Sequence, residues 1–142
     1  MSQSMIISLA AIFISLSSLA VTFWSVWRDR PQLKFTSHFY PSSEYGSANI
    51  RVRVVNAGRR PLILRLIGGD YSGGYRSGTY LGDSGKGLRL GEHEFFEESI
   101  TRGHHMCLDA EGKLLIRLWF EDSLGRRYVV PESERDVKAL FS

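Results

Sequence analysis

Apolar residues are arranged along this chain in two ways. From Met5 to Trp27 they are nearly continuous: MIISLAAIFISLSSLAVTFWSVW runs for 23 residues without a charged side chain, then stops at Arg28-Asp29-Arg30-Pro31. A helix of that length reaches roughly 34 Å at about 1.5 Å per residue, enough to cross a hydrocarbon core of about 30 Å. Trp24 and Trp27 stand where amphipathic rings collect at the headgroup level. Beyond Pro31 the apolar positions alternate with polar ones, and the period becomes that of strands.

Leu33–Phe39 repeats apolar residues mainly at every second position, and Ile50, Val52 and Val54 alternate with Arg51 and Arg53. Such alternation marks a strand with one buried and one wet face. Asn56-Ala57-Gly58 breaks the chain, and Arg59-Arg60-Pro61 leads into Leu62–Ile67. Leu114–Phe120 is the most hydrophobic run and is expected to be a central strand; Asp122-Ser123-Leu124-Gly125 is a hairpin connection, and Arg127–Val130 returns. Weaker strands are expected around Gly87–Leu90 and Phe95–Ile100. Only Glu132–Leu140, after Pro131, reads as helix, with Val137, Leu140 and Phe141 able to pack back. The pattern predicts a mainly β chain: an N-terminal transmembrane helix and basic stop over residues 1–31, then an antiparallel β-sandwich over residues 32–142 with a short C-terminal helix.

A removable signal is the alternative to an anchor, with Ser18-Leu19-Ala20 as its cleavage site. Met1-Ser2-Gln3-Ser4 lacks the basic residues of a signal, and the apolar run exceeds a signal core of about 7–15 residues. Eleven Ile, Leu, Val and Phe favour insertion, against five serines and one threonine. The reading is an uncleaved anchor. Arg28, Arg30 and Lys34 follow the span and no Lys or Arg precedes it, which predicts a single pass through the cell inner membrane with the C-terminal domain in the cytoplasm. The lone Cys107 cannot form an internal disulfide, as suits a reducing compartment.

The roughly 110 residues after the span make one domain. The net charge of +3 and pI of 9.2 come from arginines scattered among acids, a balance suited to an anionic leaflet. With no recognition helix or stacking motif, nucleic acid is not an expected partner.

The span, its basic stop, the strand end Val55-Asn56-Ala57-Gly58-Arg59-Arg60-Pro61 and the later Asp122-Ser123-Leu124-Gly125-Arg126-Arg127-Tyr128 together resemble small uncharacterised bacterial single-pass membrane-anchored proteins with an immunoglobulin-like β-sandwich. The resemblance implies an immunoglobulin-like arrangement of the strands. It brings no catalytic residue with it.

Candidate chemistry is sparse. Gly82-Asp83-Ser84-Gly85 matches the start of the chymotrypsin-like nucleophile motif, but Lys86 replaces the next glycine and the domain is too short for two barrels. The same stretch fails as a phosphate loop, with Tyr80 and Gly87 in the decisive places. His104, His105 and Cys107 are the one cluster of metal-capable side chains, with Asp109, His38 or His93 as completing ligands through tertiary proximity. Neighbouring histidines in a strand point to opposite faces, so they converge only if the backbone turns. Glu92, Glu94, Glu97, Glu98 and the pair Glu121-Asp122 read as solvated carboxylates, with no acid and base set across a cleft. The expectation is no enzyme, no metal and no cofactor.

Two features point to binding. Residues Gly68–Gly87 read as a loop, with eight glycines in 20 residues interleaved with Tyr71, Tyr75, Arg76, Tyr80 and Lys86. Glycine admits close backbone approach, tyrosine supplies contact area and the cations meet anions. The alternative is a connection without a ligand. In the span, Ser4, Ser8, Ala11, Ser15, Ser18, Thr22 and Ser25 recur at alternating intervals of four and three, a stripe of small residues suited to a neighbouring helix. The alternative is that these hydroxyls bond their own preceding turn. The leading expectation is a non-enzymatic, membrane-anchored interaction module, a subunit or scaffold whose partners are membrane lipid and another transmembrane helix, in a homo-oligomer or a complex. The alternative is a membrane-acting effector whose cytoplasmic domain senses a small anionic ligand. An extracytoplasmic binding domain is a third class.

Overall fold

The computed structural model describes residues 2–108 and 111–142. The chain divides into two compact units, Met1–Arg30 and Pro31–Ser142.

The first unit is a helix, α1 (Gln3–Arg28), none of whose residues is buried. It is long and apolar enough for a membrane span or a signal sequence. Nothing interrupts it: the segment has no proline, glycine or charge before Arg28. It ends as Asp29 N–H bonds to Ser25 O and Arg30 N–H to Trp27 O, and Pro31 then disfavours helical geometry at its neighbour.

The second unit is mainly antiparallel β. Its strands are β1 (Leu33–Tyr40), β2 (Asn49–Asn56), β3 (Leu62–Tyr71), β4 (Tyr75–Tyr80), β5 (Leu88–Leu90), β6 (Phe95–Thr101), β7 (Leu115–Asp122) and β8 (Arg127–Val129), followed by helix α2 (Ser133–Phe141). One sheet has the order β1-β2-β6; the other runs β4-β3-β7-β8, with β5 also on β3. Both contribute to a single hydrophobic cluster. Ile50, Val52, Val54 and Ile100 come from the first sheet; Leu64, Ile67, Leu118 and Phe120 come from the second. Aromatic contacts join them, Phe35 stacking on Phe120 at 5.6 Å and Phe96 meeting it edge-on at 6.2 Å.

The alternation of apolar and charged residues sorts the faces as expected: Ile50, Val52 and Val54 are buried and Arg51 and Arg53 exposed. β7 is an interior strand, between β3 and β8. Helix α2 is tied to the sheets by Ser37 Oγ donating to the buried Asp136 (2.5 Å) and by Arg102 donating to Leu140 O and Ser142 O.

One expectation needs correction. Gly68–Gly87 is not a loop: residues 68–80 are a hairpin of β3 with β4, closed by Ser72-Gly73-Gly74, and residues 81–87 turn into β5. Gly73 and Gly74 both have φ of 82°, which the tight connection requires. Gly68 and Gly78 face each other across the hairpin, and the indole of Trp119 on β7 lies over them. A Cβ on Gly68 would stand 2.6 Å from the Ser77 carbonyl and closer still to the indole. These glycines make room for a tryptophan, which is why a segment that reads as flexible is strand.

Candidate functional site

The site is built on the face of the five-stranded sheet turned away from the shared core. A register shift between Leu64 and Leu66 places Leu66, Gly68 and Asp70 of β3 on that face. Their partners there are Glu121, Trp119 and Arg117 on β7, and Tyr80, Gly78 and Arg76 on β4. Trp119 is only 3% exposed although it lies outside the main cluster. Arg127 of β8 covers its ring at 4.2 Å and pairs with Glu121 at 3.2 Å. The Trp119 indole nitrogen is buried with no hydrogen-bond partner among the described residues.

At the hairpin end of this face, Asp70 holds two arginines. Arg76 Nε donates to Oδ1 at 2.9 Å and Arg117 Nε to Oδ2. Partial burial pushes the Asp70 carboxyl up, but the hydrogen bonds and charges of Arg117 and then Arg76 outweigh it, holding the group below the ordinary carboxylate range. Both guanidinia stay substantially open to solvent, at 57% and 41% side-chain exposure. Asp70, Tyr75, Arg76, Arg117 and Glu134 line a cleft of about 290 Å³. A carboxylate that fixes two guanidinium forks presents preoriented donors to an anion, the geometry of bidentate recognition.

The structure scatters the other residues expected to contact a ligand. Tyr75 joins Arg76 in the cleft, with Lys113 over its ring. Tyr71 also borders the cleft, but its side chain is buried in the core and its hydroxyl donates to Met106 O at 2.8 Å. Tyr80 lies at the far end of β4, where Arg65 stacks at 5.4 Å. Lys86 closes the short 3-10 turn Asp83–Gly85, far along the chain from the hairpin tip. Sequence reasoning missed Asp70 and Arg117. An arginine inside the apolar run Leu114–Phe120 was the available signal, because such a cation needs either water or a partner.

The His104-His105 segment departs from strand geometry. The chain turns after β6, and the two rings stack at 4.2 Å rather than pointing apart. His104 Nε2 faces Glu98 at 3.2 Å, its Nδ1 accepts the Met106 N–H, and Cys107 Sγ donates to Thr101 O. Burial pushes the Cys107 thiol up, away from reactive thiolate character. Among the described residues no three His, Cys, Asp or Glu side chains are grouped to hold a metal. Asp109 lies outside the described residues. His93 sits in the β5–β6 connection and His38 on β1 against Tyr40. Asp83-Ser84-Gly85 is the 3-10 turn itself, with Ser84 at φ 56°. Glu97 pairs with Arg51, and Asp122 is a buried turn-former.

Along α1, the hydroxyls of Ser8, Ser15 and Thr22 donate to the carbonyls of Ser4, Ala11 and Ser18 four residues earlier. Ser17, off the stripe, bonds Phe13 O in the same way. Ser8, Ala11, Ser15, Ser18, Thr22 and Ser25 therefore still form one line of small side chains, three of whose hydroxyl protons are already used.

No family model and no curated protein matches this chain. Among solved structures it is similar to the X-ray structure of Northeast Structural Genomics Consortium target SoR45. The match has 9% identity and a TM-score of 0.30, and covers 72% of this chain and 82% of that one. A likeness that slight says nothing of function.

Proposed function

We propose that this protein is a non-enzymatic interaction module held at the inner membrane by α1, with its β domain in the cytoplasm, acting as a subunit or scaffold of a membrane assembly. The observation that carries the reading is α1 itself: 26 residues, charge-free until its last, with none buried. In water such a surface is a liability, and in lipid it is an anchor. The domain is read as an immunoglobulin-like sandwich. In that fold the first, second, fifth and fourth strands of the standard seven form one sheet, while the third, sixth and seventh form the other. The orders β1-β2-β6 and β4-β3-β7-β8 support this if β4 is the additional strand that variable-type domains carry; β5, which pairs with β3, departs from it.

The line of small residues on α1 favours a second helix as partner, from another copy or another subunit. The test is purification of the full chain from membranes in mild detergent. A defined oligomer or a stoichiometric membrane partner is expected, and a monodisperse monomer without partners contradicts the reading.

The cleft at Asp70 favours the effector reading as the second choice, because Arg76 and Arg117 offer open guanidinium groups there. Saturable binding of a nucleotide to the full chain, abolished by Arg117→Ala, would put that reading first.

A further inference from the structure

The end of the sheets at which the chain enters the domain carries apolar surface that the fold does not use. Leu124, at the tip of the β7–β8 turn, is 73% exposed, and Ile63 is exposed beside it. With Pro31, Leu33, Pro61 and Leu62 they line an open hollow of about 300 Å³. The tip is rigid: Asp122 Oδ1 accepts the N–H groups of Leu124 and Arg126, each at 2.9 Å, and Oδ2 accepts the Tyr128 hydroxyl. Ser123 N–H bonds to Ile63 O and Ala57 N–H to Gln32 O, so the entry segment and both turns are held at the same end.

Charged residues share this end of the sheets, and Arg126 itself lines the hollow. Arg59, Arg60 and Arg126 are exposed there, as are Glu92 and Glu94 in the β5–β6 connection, which bonds to Asn56 at the end of β2. Glu94 accepts the Gly91 N–H at 2.6 Å, and Glu92 lies 4.0 Å from Arg59. Arg60 and Arg126 form no ion pair among the described residues. An aliphatic tip flanked by exposed arginines without a carboxylate partner among the described residues, Arg126 touching only the Tyr128 hydroxyl, matches a bilayer interface, where the apolar side chain meets acyl chains and guanidinia meet lipid phosphates.

We infer that this end of the β domain docks on the headgroups of an anionic leaflet, with Leu124 inserted and Arg60 and Arg126 on phosphates. The inference rests on the reading of α1 as a membrane anchor. Only residues 29–32 separate α1 from β1, and five such steps reach no more than roughly 17 Å. A bilayer holding the anchor is therefore within reach of this surface by covalent connection alone.

The test uses the full chain reconstituted in vesicles, with the fluorophore NBD on Leu124→Cys or on Ser47→Cys. Ser47 lies in the β1–β2 connection, at the other end of the sheets, and the native Cys107 is buried. In vesicles containing phosphatidylglycerol, a blue-shifted NBD at position 124 quenched by headgroup-level spin-labelled lipid is expected, with none of this at position 47. Arg60→Ala and Arg126→Ala should each lower the docked fraction relative to the undocked roughly fivefold. Equal behaviour of positions 124 and 47, in a chain that floats with the vesicles and resists alkaline extraction, overturns the inference while leaving the anchor intact. Release on alkaline extraction overturns the anchor and the inference together. A blue shift without lipid quenching assigns the surface to a protein instead and overturns lipid docking.

Discussion

Asn56 is completely buried, and its side chain holds the break between the second and third strands. Its amide donates to Arg60 O at 2.9 Å and to Leu90 O at 3.1 Å, while its Oδ1 accepts the Gly58 N–H at 3.0 Å. Removing it strands two carbonyls and one N–H. Asn56→Ala should cost about 2–4 kcal/mol, read as a lower denaturation midpoint of the full chain in detergent. Gly68 is the opposite case, where adding one carbon is the damage. Gly68→Ala forces a Cβ against the Ser77 carbonyl and the Trp119 indole, and a loss of about 1–3 kcal/mol is expected. Asp70 sets a pH dependence. Its carboxyl is held below the ordinary range in the folded protein, so the stability it contributes is present above the unfolded value. That contribution fades as the pH falls through the folded one. Unfolding midpoints of the native chain and Asp70→Asn should therefore differ at neutral pH and converge in strong acid. A constant gap down to low pH would refute the paired carboxylate.

At the scale of elements, legibility followed the strength of the periodic signal. β2 was readable because Arg51 and Arg53 alternate with core residues, and β7 because an apolar run of that length has to be interior. α2 was readable from Pro131 and from the apolar positions Val137, Leu140 and Phe141; Val137 and Leu140 are buried and Phe141 packs against the cluster. β4 was not. Tyr75–Tyr80 is exposed along its whole length, so no burial alternation marks it, and its glycine exists to accommodate a residue 41 positions later, Trp119, whose ring reaches across β3 to Gly78. For the same reason only half of the candidate cleft was legible: Tyr75 and Arg76 stood out by composition. Asp70 and Arg117 are brought to them by strand register, which composition does not carry. The α1 stripe is an element-scale claim that distinguishes two faces of one helix. Ser15→Leu with Ser18→Leu should preserve insertion but weaken self-association or partner capture, because close approach of small side chains is what helices in lipid can exploit. Leucine at Ser17 and Ala20 adds the same apolarity off the stripe and should do much less. Crosslinking yields in membranes report the contrast, and equal effects of the two pairs would remove the seam.

For the whole molecule, sidedness decides which functional readings survive. Arg28 and Arg30 follow the apolar run directly and Lys34 opens β1, while residues 2–4 before it carry no cation. Orientation responds to Lys and Arg near the ends of a span, and the intervening Asp29 contributes little to it. The β domain is therefore predicted on the cytoplasmic side, where the inner leaflet is richest in anionic lipid and where Arg60 and Arg126 would find phosphates. A phosphatase reporter that folds only outside the cytoplasm, fused after Ser142, should stay inactive in intact cells, and a cytoplasm-only fluorescent reporter at the same place should be bright. Replacing Arg28, Arg30 and Lys34 with glutamine while adding two lysines after Met1 should invert both signals, because the charge bias and not the domain would set the topology. An active phosphatase on the native chain would place the domain outside. It would also exclude the scaffold and effector readings in their cytoplasmic form, leaving an extracytoplasmic binding domain as the function to test.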